Sequence, residues 1–333
     1  MPIAEVFEVF GRTNGFFEEI KGSARSLRQK CGSFQHSLNE TKRRDLASAA
    51  AILLQKVNSA IDAIGGLVLQ PAGLLPFPEV ISKLDNAIEE VPAMNDLLRK
   101  SDLKEDKGIL CSHYLSNLDR ELHKARASFQ KADRHANGGL LLLDGEAGTG
   151  KTHLLCDVAH RRLADDRPTI LLMGQRFTST EDPWEQVLKQ VDLRKRTAGE
   201  LVGALEAAAQ ANNCRALVII DALNEGQGRA IWPDNLPAFL AHLERSPWIG
   251  VVLSVRSFYE EIIIPESVRN QAIRKTHHGF AGHEYDAVEM FFRNYGLELP
   301  STPLLSPEFS NPLFLSILCK ALMDAKDKSV QRQ

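Results

Sequence analysis

The residues with the clearest chemical pattern form a glycine-rich loop near the middle of the chain. Its sequence follows G-x-x-x-x-G-K-T, and we expect it to contact a nucleotide through Gly145, Glu146, Ala147, Gly148, Thr149, Gly150, Lys151, Thr152 and the next residue, His153. The glycines let the backbone curl so that successive N–H groups point at phosphate oxygens. Lys151 would reach the β- and γ-phosphates, and the Thr152 hydroxyl would hold Mg²⁺.

The residues on either side of the loop predict the strand and the helix that such a loop requires. Leu140–Leu143 are four leucines in a row, typical of a strand buried on both faces. After the loop, Leu154, Leu155 and Val158 recur at helical spacing. This order of strand, turn and helix distinguishes a phosphate-binding loop from a chance glycine turn.

Two acidic residues further along could support hydrolysis. Asp221 follows the apolar run Ala216–Ile220, and a carboxylate at the end of a buried strand can hold Mg²⁺. Glu225 comes four residues later and can orient or deprotonate an attacking water. The alternative is that Asp221 only ends the strand and Glu225 is solvated. Asn224 stands where a second acid would be expected.

An arginine follows the predicted fourth strand. That strand, Ile249–Val255, ends directly before Arg256. Because the carboxyl ends of the strands in an open parallel sheet face the ligand, Arg256 could contact the γ-phosphate and stabilise charge in the transition state. The alternative is a structural ion pair with an acid in the neighbouring loop.

The chain from Gly139 onward alternates strands and helices, which predicts a parallel sheet and an α/β fold. Further strands are predicted at Pro168–Met173 and, as a short fifth strand, at Thr276–Phe280. The fifth strand includes the adjacent histidines His277 and His278, whose spacing suits no bidentate metal site, so we interpret them as structural.

The sequence of residues 1–136 predicts helices throughout, packed as a small bundle. Within it, we expect Asn39–Ile64 to be one helix with Asn39 as its N-cap. We predict three regions: a helical N-terminal region at 1–136, a nucleotide-binding core at 137–282, and the incomplete start of a helical domain at 283–333.

Composition places the chain among ordinary globular proteins. It has 333 residues, 44% of them hydrophobic, and a net charge of −3, which gives no indication of a nucleic-acid partner. Five dispersed cysteines indicate reduced thiols and a cytoplasmic protein. The N-terminus lacks the pattern of a signal peptide, and no apolar run of about 18 residues appears, so we expect no membrane partner.

Five motifs occur in an order that resembles the STAND class of signalling NTPases, the NACHT/NB-ARC-like switches, and above all their bacterial antiviral members. The motifs read GEAGTGKTHLL, LLMGQRF, VIIDALNEG, LSVRSFYEE and PEFSNPLFLSILCKAL. The resemblance implies an ASCE-type P-loop NTPase fold followed by a small helical segment. It makes Lys151 and Thr152 the Walker A residues, Asp221 and Glu225 the Walker B residues, Arg256 a sensor arginine, and Pro312 a proline near the adenine.

On this resemblance we expect an ATP-binding, slowly hydrolysing switch that uses Mg²⁺, responds to an activating ligand and forms a homo-oligomer when active. The chain ends soon after Pro312, so we expect a fragment or a truncated member. Two alternatives stay open. One is an AAA+ ATPase that loads or remodels a nucleic-acid complex, because GTGKTHLL also resembles helicase-loader loops. The other is an interaction module that nucleotide stabilises without turnover.

Overall fold

The computed structural model describes residues 3–69, 73–299 and 306–330, and these form two compact units. One unit consists of residues up to Gly138 together with Asn213–Arg215; the other consists of Gly139–Asn212 and the residues from Ala216 onward. The extents of the three predicted regions stay predictions. Part of them, residues 1–2, 70–72, 300–305 and 331–333, lies outside the described residues.

The regular secondary structure of the first unit is all helical over the residues described, as the sequence predicted. Its helices are α1 (Ile3–Phe10), α2 (Asn14–Thr41), α3 (Arg44–Leu69), α4 (Phe77–Ile88), α5 (Val91–Lys100) and α6 (Glu105–Asn137). Helices α2, α3, α4 and α6 pack together around one apolar core. Phe34, Leu53 and Leu118 are completely or almost completely buried there, and burial of such side chains from every long helix stabilises the bundle.

The prediction of one helix over Asn39–Ile64 is wrong, because the chain turns at Lys42. Lys42 has a left-handed backbone (φ 57°), and its N–H donates to the Asn39 carbonyl at 3.1 Å. Asn39 therefore lies in the last turn of α2 rather than at the start of α3. The Thr41 hydroxyl accepts a hydrogen bond from the Arg43 N–H, which satisfies a donor at this helix start.

Helix α3 is long and apolar enough to cross a membrane by length and composition alone. Its buried side chains, among them Leu53, Val57 and Ile64, belong to the core of the helical unit. A core helix of a bundle passes the same test, and the expectation of no membrane partner stays a prediction.

The second unit is an α/β layer structure. Its strands are β1 (Leu140–Asp144), β2 (Thr169–Met173), β3 (Ala216–Asp221), β4 (Ile249–Ser254) and β5 (Ile273–Thr276). Its helices are α7 (Lys151–Ala164), α8 (Pro183–Gln190), α9 (Ala198–Ala211), α10 (Gly228–Leu243), α11 (Glu260–Ile263), α12 (Glu266–Gln271), α13 (Glu284–Asn294) and α14 (Pro312–Val330).

The five strands form one parallel sheet in the order β2-β3-β4-β1-β5. Strand β4 lies between β1 and β3, with Leu143 paired to Ser254 and Ile220 paired to Leu253. This register brings the residues that follow β1, β3 and β4 to one edge of the sheet. Every residue of these three strands is buried, which explains why their sequences are continuous apolar runs. The predicted α/β fold class is confirmed.

The fifth strand does not lie where the sequence predicted it. It covers Ile273–Thr276 rather than Thr276–Phe280, and it pairs with β1 through Leu141 and Ile273. The His277 N–H still donates to the Asp144 carbonyl, but the chain then turns at Gly279, which has a φ of 65°. Hydrogen bonding with β1 therefore ends at His277, which lies beside Asp144, the last residue of β1 before the glycine loop.

Helices α13 and α14 form a small third core beyond the sheet. Ala287, Val288 and Phe292 of α13 pack with Leu315 and Cys319 of α14. Helices α13 and α14 thus confirm that a helical segment follows the sheet.

Candidate nucleotide-binding site

The glycine loop joins β1 to α7 in a conformation that only glycine permits at two positions. Gly148 has a φ of 77°, and a Cβ there would lie 2.9 Å from Asn311 Oδ1 and 2.9 Å from Leu313 Cβ. A Cβ at Gly145 would lie 2.5 Å from the His277 carbonyl oxygen. The loop is therefore enclosed by the side chains of Asn311 and Leu313 on one side and by the His277 backbone on another, and its open side faces a cavity.

That cavity, of about 580 Å³, collects nearly all the residues that the sequence predicted. The predicted residues that line it are Ala147, Gly148, Thr149, Gly150, Lys151, Thr152, His153, Asp221, Glu225, Arg256 and Pro312. Gly145 and Glu146 are not part of the lining; they contribute carbonyl oxygens at the start of the loop. The volume is within the range of small-molecule sites.

Lys151 is buried at the first position of α7. Its Nζ donates to the carbonyl oxygens of Gly145 and Glu146, both at 2.7 Å. Burial lowers the pKa of Lys151, and nearby Asp221 partly opposes this shift. The Thr149 hydroxyl also donates to the Glu146 carbonyl at 3.0 Å. The loop thus holds an ammonium group beside the cavity, in reach of a phosphate chain.

Asp221 is the last residue of β3, and only one of its two carboxylate oxygens accepts a hydrogen bond from a described residue. The Ser254 hydroxyl donates to Asp221 Oδ1 at 2.5 Å and accepts from the Ala222 N–H at 2.7 Å. Asp221 Oδ2 is buried and has no hydrogen-bond partner among the described residues. A buried carboxylate oxygen requires a partner, and a cation or its water would supply one.

These residues fit a magnesium ion bound together with a triphosphate. Thr152 and Asp221 line the same cavity and offer the oxygen ligands that Mg²⁺ prefers. Among the described residues no cluster of three or more His, Cys, Asp or Glu side chains could hold a metal by itself. A cation here would therefore take its other ligands from phosphate and water.

Glu225 and Arg256 contact each other at the rim of the cavity. Arg256 Nη2 donates to Glu225 Oε1 at 3.2 Å, and both side chains are about two-fifths exposed. Asn224 is buried, and its Oδ1 accepts from the Arg256 N–H at 3.0 Å. The amide that replaces the expected second acid therefore fixes the start of the segment that carries Arg256.

The start of α14 closes one side of the loop. Asn311 caps this helix, because its Oδ1 accepts from the N–H groups of Leu313 and Phe314 at 2.9 and 3.3 Å. Its Nδ2 donates to the Ala147 carbonyl at 3.2 Å, and the Leu313 N–H lies 3.3 Å from the Gly148 carbonyl. These bonds place Pro312 beside the loop. Its predicted position near an adenine stays a prediction.

The opposite end of the cavity is apolar. Phe280 and Phe291 line it beside Pro312 and Leu313, and their rings pack edge to face with centroids 5.9 Å apart. A planar base fits such a surface because aromatic rings stack with one another. The sequence offered no spacing signal for these two phenylalanines, since they come from different elements.

Ser254 and His277 also line the cavity, although no sequence motif assigned them to it. Ser254 is the last residue and the only hydroxyl of β4, a signal that could have been recognised. His277 follows β5 directly at the ligand edge, and it lines the cavity. It was assigned to a strand interior because the fifth strand was predicted three residues too late.

A second groove, of about 760 Å³, lies on the helical unit between α2, α3 and α4. Its charged lining residues are Asp62 and Lys83, and the remainder are uncharged side chains such as Gln35, Asn39 and Asn58. It has neither a glycine loop nor a group of convergent charges, so the sheet-edge cavity is the better candidate for chemistry.

A family profile described as an AAA domain matches residues 134–231. No curated protein matches the chain. Among solved structures, C. elegans PCH-2 is similar over 47% of this chain and 40% of its own length, with 16% sequence identity and a TM-score of 0.30. The structure of Drosophila ORC bound to AT-rich DNA and Cdc6 is similar over 47% of this chain and 63% of that chain, with 14% identity and a TM-score of 0.30.

The chain therefore spans less than two thirds of either of those chains, and TM-scores this low carry no argument about function. The AAA profile includes the glycine loop, Asp221 and Glu225, and it ends before β4. It supports an ATPase domain over these residues. The roles assigned to the individual site residues, among them Asp221, Glu225, Arg256 and Pro312, stay predictions.

Proposed function

We propose that this P-loop NTPase binds MgATP in the sheet-edge cavity, hydrolyses it slowly, and alternates between ATP and ADP states as a STAND-type switch. The observation that carries the proposal is the contact between Arg256 and Glu225 at the cavity rim. It joins the group that would recognise the γ-phosphate to the group that would activate water.

Binding rests on the loop and on Lys151. The loop N–H groups and the start of α7 provide partial positive charge for the phosphates, and Lys151 adds a full charge. Lys151 would exchange its two carbonyl partners, Gly145 and Glu146, for phosphate oxygens. Thr152 and Asp221 would hold Mg²⁺, which when bound neutralises charge on the phosphate oxygens.

Hydrolysis requires a water in line with the γ-phosphate. Glu225 would orient this water and accept its proton while the water oxygen bonds to phosphorus and the bond to the bridging oxygen of ADP breaks. While Arg256 contacts Glu225, one carboxylate oxygen is engaged. A γ-phosphate that attracts the guanidinium would free this oxygen for water, so recognition of ATP and activation of water would be coupled.

The switch requires a different affinity for ATP and for ADP in the two states, because a ligand that binds both states equally shifts neither. Arg256 provides that difference, since only ATP offers γ-phosphate oxygens to its paired N–H donors. We propose that the ATP state favours self-association. An anti-phage role and a cytoplasmic location follow from the motif resemblance and the cysteines, and belong to the same proposal.

Two measurements test this function. Single-turnover hydrolysis of ATP by excess protein should yield ADP and phosphate, and Lys151→Ala should abolish both nucleotide binding and turnover. Sedimentation with a non-hydrolysable ATP analogue should show a larger species than sedimentation with ADP. Tight ATP binding without any turnover would favour the nucleotide-stabilised module, and equal ATP affinity of wild type and Lys151→Ala would contradict the site itself.

A second candidate is an AAA+ ATPase that loads or remodels a nucleic-acid complex. The AAA-domain match at residues 134–231 favours it, and the net charge of −3 provides no support for a nucleic-acid surface. One assay distinguishes the two candidate functions. A remodelling ATPase should be stimulated by single- or double-stranded DNA, whereas the proposed switch should hydrolyse ATP at the same rate with and without DNA.

A further inference from the structure

Ala222 lies between the proposed magnesium ligand Asp221 and the proposed general base Glu225, and its backbone is left-handed, with a φ of 56°. Of the non-glycine residues with a positive φ in the described part of the chain, Ala222 is the one that lines the cavity. This conformation is unfavourable for a residue with a Cβ, so it persists only where neighbouring groups hold it.

Ser254 holds this turn with two of its oxygens. The Ala222 N–H donates to Ser254 Oγ at 2.7 Å, and the Leu223 N–H donates to the Ser254 carbonyl at 2.9 Å. Ser254 is the last residue of β4 and is completely buried. Because a central strand of the sheet fixes both acceptors, it also fixes the two peptides that follow Asp221.

The same hydroxyl determines which oxygen of Asp221 stays free. Ser254 Oγ accepts from a backbone N–H, and its single proton goes to Asp221 Oδ1 at 2.5 Å. Asp221 Oδ2 is buried and has no hydrogen-bond partner among the described residues. The hydroxyl therefore orients the carboxylate so that Oδ2 is the oxygen left for a cation or its water.

The turn extends from Ala222 to the proposed base. The Glu225 N–H donates to the Ala222 carbonyl at 2.9 Å. A Cβ on Gly174 would lie 2.0 Å from the same carbonyl oxygen, so the backbone of Gly174 closes the other side of the turn. Ala222 is thus held between the end of β4 and the residue after β2, and a shift of its peptide would move Glu225 as well.

We propose that Ser254 is a positioning residue that orients Asp221 for a magnesium ion and holds the turn that carries Glu225. This inference rests on the proposed nucleotide site, and it gives a role to a residue that had none in the sequence analysis. It predicts that Ser254 affects the part of ATP affinity that depends on Mg²⁺, and leaves the contacts of the glycine loop with the phosphates unchanged.

Three substitutions of Ser254 and one control separate this role from a general structural one. Ser254→Ala removes the hydroxyl, Ser254→Cys keeps a side chain of similar size with only a weak donor, and Ser254→Thr keeps the hydroxyl. Ser246→Ala is the matched control. The Ser246 hydroxyl is also buried and accepts a backbone N–H, from Trp248 at 3.3 Å, but Ser246 is not part of the cavity lining.

The first measurement is isothermal titration of ATP with Mg²⁺ and with EDTA. Wild type should bind ATP more tightly with Mg²⁺. Ser254→Ala and Ser254→Cys should match wild type in EDTA and lose affinity by a factor of about 10 with Mg²⁺, as expected for one lost hydrogen bond to a charged group. Ser254→Thr should stay within about twofold of wild type in both conditions, and Ser246→Ala should equal wild type.

The second measurement is single-turnover hydrolysis at saturating ATP and Mg²⁺. Ser254→Ala and Ser254→Cys should be slower than wild type by a factor of about 10 or more, because a displaced Glu225 orients the attacking water less well. Turnover equal to that of wild type would overturn the role assigned to Ser254 at Glu225. If Ser254→Ala does not fold, the comparison of Ser254→Cys with Ser254→Thr decides in the same way.

The other outcomes of the titration contradict the inference in distinguishable ways. If Ser254→Ala and Ser254→Cys bind ATP like wild type with Mg²⁺, the hydroxyl does not orient Asp221. If they weaken ATP equally with Mg²⁺ and with EDTA, Ser254 supports the fold of the site and has no specific effect on the metal. If wild type binds ATP equally with and without Mg²⁺, Asp221 holds no metal and the inference fails while nucleotide binding stands. If wild type binds no ATP, the proposed function fails together with this inference.

Discussion

Arg256 Nη2 lies 3.2 Å from Glu225 Oε1, so the predicted γ-phosphate sensor is paired with the predicted general base. The ion pair that we considered as the alternative role of Arg256 is therefore present, and its partner is the residue that hydrolysis would need. Both side chains are about two-fifths exposed, and a pair of this kind contributes about 1 kcal/mol or less. A triphosphate can displace it at little cost.

Replacing the base should separate binding from chemistry. Glu225→Gln should bind MgATP with an affinity close to that of wild type, because the amide oxygen can still accept from Arg256. It should slow single-turnover hydrolysis by about 10²- to 10⁴-fold, the usual effect of removing a general base. Quench-flow measurement of ADP formation would check this.

Glu261→Gln is a suitable control for that experiment, because Glu261 is strongly exposed on α11 and is not part of the cavity lining. Its hydrolysis rate should equal that of wild type. If Glu225→Gln hydrolysed ATP as fast as this control, the base would have to be another group of the cavity.

The sequence predicted the polar end of the site well and the apolar end poorly, for a physical reason. Asp221 ends a buried strand, and the glycine loop and Arg256 each come after one. The apolar runs that predict these strands therefore also predict where the polar residues lie. Phe280 and Phe291 meet only because the turn after β5 packs against α13, and no local period in the sequence encodes that contact.

The start of β5 and the helix break at Lys42 differ from the prediction for related reasons. Strand β5 is short and pairs only with β1, and Ile273 is its only apolar residue, so no apolar pattern in the sequence marks its ends. The helix break at Lys42 depends on a left-handed backbone in a residue type that rarely adopts it. Both features arise from tertiary context, which overrides local propensity.

The apolar end of the cavity should determine affinity for the base. Phe291→Leu should weaken ATP by about 2- to 10-fold, because it removes an aromatic face on which a base can stack. It should leave the affinity for inorganic tripolyphosphate unchanged, because that ligand has no base. Displacement of a fluorescent nucleotide would measure both affinities.

Phe314→Leu provides the matched control for that variant, since Phe314 lies on α14, is about two-fifths exposed and is not part of the cavity lining. We expect it to bind ATP like wild type. An equal loss of tripolyphosphate affinity in Phe291→Leu would mean that Phe291 supports the loop and does not contact the base.

Arg274 should matter for stability through two buried acids. Its guanidinium donates to Asp144 Oδ2 at 2.7 Å and to Glu260 Oε2 at 2.6 Å, and both carboxyl groups are almost completely buried. Arg274→Ala leaves both without this partner, so we expect a loss on the order of 3 kcal/mol in the free energy of unfolding. Arg161→Ala, which breaks the exposed pair with Asp157, should cost less than about 1 kcal/mol.

The stability loss of Arg274→Ala should depend on pH. Burial already raises the pKa of Glu260, and Arg274 opposes that shift, so its removal should raise the pKa further. A carboxyl group with a raised pKa in the folded state stabilises the fold at low pH and loses that contribution as pH rises through its folded pKa. Urea unfolding should therefore show a smaller deficit at pH 5 than at pH 8, and a deficit that is equal at both would contradict the assignment.

The ratio of ATP to ADP affinity, measured by isothermal titration with Mg²⁺ for wild type and Arg256→Ala, tests the central claim most directly. Wild type should bind ATP more tightly than ADP, and Arg256→Ala should reduce this ratio by a factor on the order of 10 or more, because one charge-assisted contact to the γ-phosphate is lost. Arg229→Ala, which removes a guanidinium that packs on Tyr259 outside the cavity lining, should leave the ratio unchanged. An Arg256→Ala ratio equal to that of wild type would contradict the account, because Arg256 would then be only the structural partner of Glu225.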